Sequence, residues 1–194
     1  MSEPENQEPK RHTIFYSGGI YPQSVNNIRG TILQALNQKA TSIRFAFSSE
    51  GGNLNDGFSL YHFLRALPVP LTMYNFGMVE SMGVLIYLAG DTRLVAKDAS
   101  FLMHSIQANF NFNSVDYPRL DERVNSIKQN MKVYEKIFEE RTKGAKKPIS
   151  IRKAISEEAL ILDSASAYKA RIATEIISPE GFISTGDVNW AVAP

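Results

Sequence analysis

From Thr13 onward, short runs of β-branched and aromatic residues alternate with longer amphipathic runs, the pattern produced when parallel strands are joined by crossover helices. The chain is therefore expected to be an α/β protein. Residues 14–16 read as a strand, the Gly18-Gly19 turn follows, and Ser24 can N-cap a helix whose apolar positions Ile28, Ile32, Leu33 and Leu36 recur at helical spacing. A second strand over 42–47 leads into the polar turn Ser48-Ser49-Glu50-Gly51-Gly52. The next helix, about 56–66, stops before Pro68 and Pro70, and 69–74 form a third strand.

Residues 76–83 (FGMVESMG) leave that strand through a glycine-containing turn and enter a helix over 82–89 that is apolar on every side and must be buried. Two short strands follow at 94–96 and 100–103. The second delivers His104 at its C-terminal end, where open α/β sheets bind ligands. A long helix over about 117–142 carries Leu120, Val124, Ile127, Met131, Tyr134 and Phe138 at spacings of 4, 3, 4, 3 and 4, a heptad-like seam. Spacing alone allows the seam to pack on its own domain or to meet another subunit. After an exposed connector at 143–148 come a helix over 149–158, the apolar Leu160-Ile161-Leu162, Asp163 as an N-cap, and a last strand at 174–177. Residues 1–12 are polar and contain proline, so they read as a disordered tail before a single domain over 13–194.

Composition narrows the chemistry. With 21 basic and 20 acidic residues among 194, the formal charge of +1 gives no broad basic field, and general nucleic-acid binding is not expected. The absence of cysteine removes disulfides, thiolate metal sites and thiol nucleophiles, leaving serine or carboxylate chemistry. The longest apolar run, 84–89, is far short of the ~20 residues that span a bilayer. No secretory signal is evident in the first residues, so the expected setting is the cytoplasm.

Ser81 stands where a glycine-bearing turn enters the apolar helix, a place from which a fixed hydroxyl can project beside helix N-terminal N–H groups. A simple N-cap serine is the competing reading. Of the three histidines, His12 falls in the tail and His62 among helical residues, so His104 is the candidate base. Gly51-Gly52 could present backbone N–H groups to a developing oxyanion, or form a plain turn. No phosphate-loop pattern is present.

Taken together, SSEGGN, then FGMVESMGVLIYLAG, then FLMHS resemble the proteolytic subunit of the Clp protease, a self-compartmentalising serine peptidase of the ClpP/crotonase superfamily. The likeness extends over about residues 13–178. It implies a fold of repeated ββα units with a protruding long helix, Ser81 as nucleophile, His104 as its base, and the N–H groups of Gly51 and Met82 as the oxyanion hole. It also implies that 120–138 form an inter-ring helix in a homo-oligomeric ring acting on peptide or unfolded-protein substrates, with no metal or cofactor.

Three departures stand beside these matches. An ungapped reading of 149–177 puts Ala159 at the family's triad aspartate, with Glu158 adjacent as the substitute orienter and Glu157 and Asp163 not far away. Loss of such a carboxylate can lower kcat by about 10⁴ through the wrong imidazole tautomer. Glu50 replaces a proline in the turn, and Glu80 precedes Ser81 where a small residue is usual. The short stretch before the first strand counts against docking of an unfoldase ATPase. The expected activity is peptide hydrolysis. The alternatives are a weak or inactive subunit of the same fold and a crotonase-like acyl-CoA enzyme.

Overall fold

The computed structural model describes residues 10–106, 116–180, 182–183 and 186–192. Eight strands and six helices follow in the order β1 (Arg11–Ser17), α1 (Pro22–Asn37), β2 (Ser42–Ser49), α2 (Leu54–Arg65), β3 (Leu71–Glu80), α3 (Met82–Tyr87), β4 (Thr92–Ala96), β5 (Ser100–Met103), α4 (Tyr117–Thr142), α5 (Ile151–Ser156), β6 (Leu160–Asp163), α6 (Ser164–Lys169), β7 (Glu175–Ile177) and β8 (Val188–Ala191). β8, β1, β2 and β3 run parallel side by side. β3 then forks: Thr72–Asn75 pair with β4, which pairs with β7, whereas Met78–Glu80 pair with β5, which pairs antiparallel with β6.

This fork corrects the expected turn at 76–77. The strand runs on through Gly77 to Glu80 because it exchanges one parallel neighbour for another, with Phe76 and Gly77 spanning the gap between the two ladders. The buried Asn75 staples the exchange: its Nδ2 donates to Ser100 O at 2.9 Å, and its Oδ1 accepts from Gly77 N–H at 3.0 Å. A buried amide bonded on both sides holds irregular backbone in place where a ladder alone would leave groups unpaired.

Two further expectations change. Helix α1 begins at Pro22 with Tyr21 as N-cap, since proline at the first helical position lacks only an N–H that would be orphaned anyway. Ser24 is its third residue, and its hydroxyl accepts from Tyr21 N–H at 3.0 Å. The strand at 175–177 is not the last, because β8 lies beside β1 in the register His12↔Val188 to Phe15↔Ala191.

That pairing also moves His12 out of the expected tail, of which residues 1–9 lie outside the described residues. His12 is buried within β1 and stacks on Trp190, whose Nε1–H donates to His12 Nδ1 at 3.0 Å. Its Nε2 has no partner among the described residues. Burial, and then the charge of Lys10, hold the imidazole pKa below 6.5, so the native protein favours the neutral ring. This contribution to stability is present above 6.5 and is lost as the pH falls below it toward the lowered native value. Urea midpoints at about pH 7.5 and about pH 5 should therefore differ more for the native chain than for His12→Phe.

The core gathers Ile14, Phe45, Phe47, Leu85, Ile86 and Phe101 between the sheet and its helices. Helix α3 is buried at every position, as its composition requires. The C-terminal ends of α3, α4 and α6 converge on Arg93, which is 3% exposed. Its guanidinium donates to the carbonyls of Gly90, Arg141, Arg171 and Ile172 at 2.7–3.1 Å. Carbonyls at helix C-termini carry the negative end of the dipole, so the buried cation is solvated by backbone oxygens, with no carboxylate hydrogen-bonded to it among the described residues. Burial and the nearby Arg141 still lower its pKa to about 10.

The seam of α4 divides. Tyr134, Ile137, Phe138 and Thr142 are buried against the chain's own core, whereas Tyr117 and Leu120 are 79% and 42% exposed. One half anchors the helix. The other carries its apolar residues outward.

Candidate active site

Ser81 lies between the end of β3 and the start of α3 with φ 51° and ψ −121°. A side chain in this region costs of order 1–3 kcal/mol and persists only where its surroundings fix it. Here both backbone groups are fixed. The N–H donates to Leu102 O of β5 at 2.7 Å, and the carbonyl accepts from Val84 N–H at 3.1 Å and from the Tyr134 hydroxyl at 3.2 Å. Ser81 occupies the N-cap position of α3, yet its side chain makes no capping hydrogen bond. Among the described residues, the hydroxyl is committed to no partner. A strained strand-to-helix elbow that presents a free hydroxyl is the arrangement of a nucleophile.

Gly51 packs directly on this elbow. Its φ of +83° disfavours any side chain, and a Cβ there would lie 2.7 Å from Ser81 Cβ, 2.9 Å from Glu80 O and 3.0 Å from Met82 N. The Gly51 carbonyl accepts from Ile20 N–H at 2.7 Å, and its N–H donates to the buried Ser49 Oγ at 3.1 Å. Met82 N–H is the first of α3 and has no intrahelical acceptor. The two backbone groups expected to bind an oxyanion thus flank Ser81.

His104 follows β5 by one residue. Because Glu80 pairs with Leu102 and Ser81 N–H bonds Leu102 O, the fork of β3 brings His104 to the same sheet edge as Ser81. The imidazole is half-buried, and its Nδ1 lies 2.8 Å from Ser105 O. A carbonyl oxygen only accepts, so this contact places the ring proton on Nδ1 and leaves Nε2 a lone pair. No hydrogen bond joins Ser81 and His104 among the described residues.

The candidates for the third position lie on and before β6, which pairs antiparallel with β5. The ladder ends at Met103↔Leu160, so His104 leaves β5 beside the segment from which Ala159 enters β6. Glu157 and Glu158 are exposed, and their backbone N–H groups donate to Lys153 O; neither carboxylate bonds His104. Asp163 faces Ser100, four residues along the ladder, and caps α6 by accepting from Ser166 N–H at 2.7 Å. Hydrogen bonds from Ser166 hold its carboxyl below the usual aspartate range. Asp163 is thereby a helix cap, and no hydrogen bond joins it to His104 among the described residues. Glu80 is half-exposed and Glu50 exposed, and neither forms an ion pair among the described residues.

Two groups at this site carry no signal in the sequence. Ser49 is one residue of a polar turn, and nothing local distinguishes it. Tyr134 belongs to the heptad-like seam, where an aromatic reads as packing; its hydroxyl meets Ser81 only through the fold. No metal-binding group of three or more His, Asp or Glu occurs among the described residues. No helix among them is long and apolar enough to cross a membrane.

Comparison with known proteins agrees with the architecture. Structurally, the chain resembles a ClpP1 variant from Listeria monocytogenes, with a TM-score of 0.74 at 18% identity over 87% of this chain and 92% of that one. A peptidase from Plasmodium falciparum gives 0.68 at 17% identity, over 86% and 95%. In sequence, it is 25% identical to the ATP-dependent Clp protease proteolytic subunit 2 of Gluconobacter oxydans over 71% of this chain and 67% of that protein. It is 32% identical to the proteolytic subunit of Cyanophora paradoxa over 40% of each. The matched stretches thus span about two thirds of one relative's length and less than half of the other's. The Clp protease family profile matches residues 6–180, nearly the whole chain, and the chain belongs to the Clp protease family.

Proposed function

We propose that the chain is a serine peptidase in which Ser81 is the nucleophile, His104 its base, and the N–H groups of Gly51 and Met82 the oxyanion donors. The observation that carries this reading is the strained Ser81 elbow, with an uncommitted hydroxyl packed against a glycine that no side chain could replace without collision. Ser81 Oγ bonds to the scissile carbonyl carbon while its proton passes to His104 Nε2. The tetrahedral oxyanion is met by the two N–H groups, and the proton then goes to the departing amine. Water cleaves the resulting acyl ester, again giving its proton to His104, and Ser81 is restored. The Gly51 N–H must exchange Ser49 Oγ for the substrate oxygen, and the imidazole must close on Ser81. Such contacts commonly tighten only when substrate binds.

Assembly belongs to the same reading. The exposed apolar half of α4 suits a second copy of the chain, and closed rings would enclose the site. The sequence relatives are named ATP-dependent proteolytic subunits, so an ATPase that delivers substrate is the partner this reading implies, against the expectation drawn from the short leading segment. A non-hydrolytic subunit is the second reading, and Ala159 at the position where the resemblance expects the triad aspartate is what favours it.

Intact-mass spectrometry after exposure to a fluorophosphonate separates the two. One adduct is expected, mapping to Ser81 and lost in Ser81→Ala. A natively folded sample with no adduct would overturn the peptidase reading in favour of the non-hydrolytic subunit.

A further inference from the structure

Tyr134 comes from the middle of α4, far along the chain from Ser81, and is 3% exposed. Its hydroxyl is the only side-chain group bonded to the Ser81 peptide among the described residues, donating to Ser81 O at 3.2 Å. Burial raises its pKa above the ordinary tyrosine value, so the hydroxyl keeps its proton at neutral pH.

The acceptor matters more than the bond. Ser81 C=O and Met82 N–H are the two ends of one peptide plane, and no peptide bond among the described residues is cis. In a trans plane the two groups point in opposite directions, and the plane turns only as a unit. Whatever fixes the direction of Ser81 O therefore fixes the direction of Met82 N–H. The other restraint on that oxygen is Val84 N–H, a single bond at the start of a six-residue helix. One hydrogen bond leaves the plane free to rock about it, and a second from a different direction does not.

We propose that Tyr134 is a positioning residue that aims the Met82 N–H at the oxyanion. The inference rests on the peptidase reading and adds to it a residue outside the nucleophile, base and oxyanion donors. It also gives α4 a second role, because the helix whose outer half is exposed for assembly sets the oxyanion donor with its inner half. Misdirecting an N–H harms the transition state, where charge sits on the oxygen, more than the neutral ground state.

The test is Tyr134→Phe, which keeps the ring that fills the core and deletes only the donor. Removing an oxyanion donor outright costs about 10²–10³ in kcat, so a misaimed one is expected to cost about 10–30-fold, with KM within about 2-fold. The rate of Ser81 modification by a fluorophosphonate should fall in parallel, while melting temperature and assembled mass hold. Phe138→Leu, a buried change on the same helix that leaves the Ser81 peptide alone, should lower the melting temperature and keep kcat. If Tyr134→Phe does not fold, Tyr134→Met places an unbranched apolar chain in the same space and is read in the same way. An unchanged kcat in a folded variant overturns the inference, as does a loss shared equally between kcat and KM. Absence of any Ser81 adduct in the native protein overturns the peptidase reading and this inference with it.

Discussion

An Ala159→Asp variant is expected to hydrolyse a small peptide substrate about 10²-fold faster than the native chain, within the ~10⁴ that an orienting carboxylate contributes elsewhere. The ladder between β5 and β6 gives the reason. Directly opposed residues in an antiparallel pair hold their Cβ atoms about 4.5–5.5 Å apart, and His104 and Ala159 are the residues next beyond the last such pair, Met103↔Leu160, so an aspartate at 159 is expected to come within reach of the His104 ring. In the native chain the same Nδ1 proton is held by Ser105 O at 2.8 Å. That carbonyl selects the useful tautomer, but it carries no full charge to stabilise the imidazolium that the proposed proton transfer from Ser81 would form. The position is exposed, so the change itself should alter stability little. Ala159→Asn separates the two effects, since it offers an acceptor without the charge and should recover less rate. If kcat does not rise in a folded Ala159→Asp protein, His104 is not limited by its orienter. If Glu158→Gln lowers kcat in the native background, Glu158 already supplies the charge.

What the sequence shows of this architecture depends on whether the cause is local. Strand β5 and helix α4 have the bounds that periodicity predicts, because a compact apolar run and an amphipathic seam carry their own signals. The extension of β3 does not, since Phe76-Gly77 reads as a turn until Asn75 and the change of neighbour from β4 to β5 are known. Strand β8 is hidden for the same reason: its four residues become a strand only beside β1, and His12 becomes a core residue only beside Trp190. The site divides along the same line. Ser81, Gly51 and His104 lie in short contiguous motifs and can be singled out by residue type. The hold of Tyr134 on Ser81 O spans 53 positions and exists only once α4 has docked. Glu158 lies between these cases: adjacency in sequence suggests an orienter, and in the fold it is exposed, with its backbone N–H on Lys153 O and no hydrogen bond to His104 among the described residues.

Gly51→Ala should abolish measurable peptide hydrolysis and also destabilise the fold, and the two losses have separable causes. The first is steric. The added Cβ would sit 2.7 Å from Ser81 Cβ and 2.9 Å from Glu80 O, closer than real Cβ contacts come, and a tight 3.0 Å from Met82 N, where the proposed mechanism brings the substrate oxygen. Loss of one oxyanion donor lowers kcat by about 10²–10³, and here the new methyl group obstructs both donors and the nucleophile together. The second is conformational: alanine at φ +83° is strained, and relief would require the Gly51-Gly52 segment to turn away from Ile20, to which it is tied by hydrogen bonds from both sides. Strain of this kind costs about 1–3 kcal/mol, well within what denaturant midpoints resolve. Gly30 supplies the control, since it lies on α1 with open space where its Cβ would stand, and Gly30→Ala should stabilise slightly without touching turnover. A folded Gly51→Ala protein that retains native kcat would remove Gly51 from the oxyanion site and leave Met82 N–H without its partner donor.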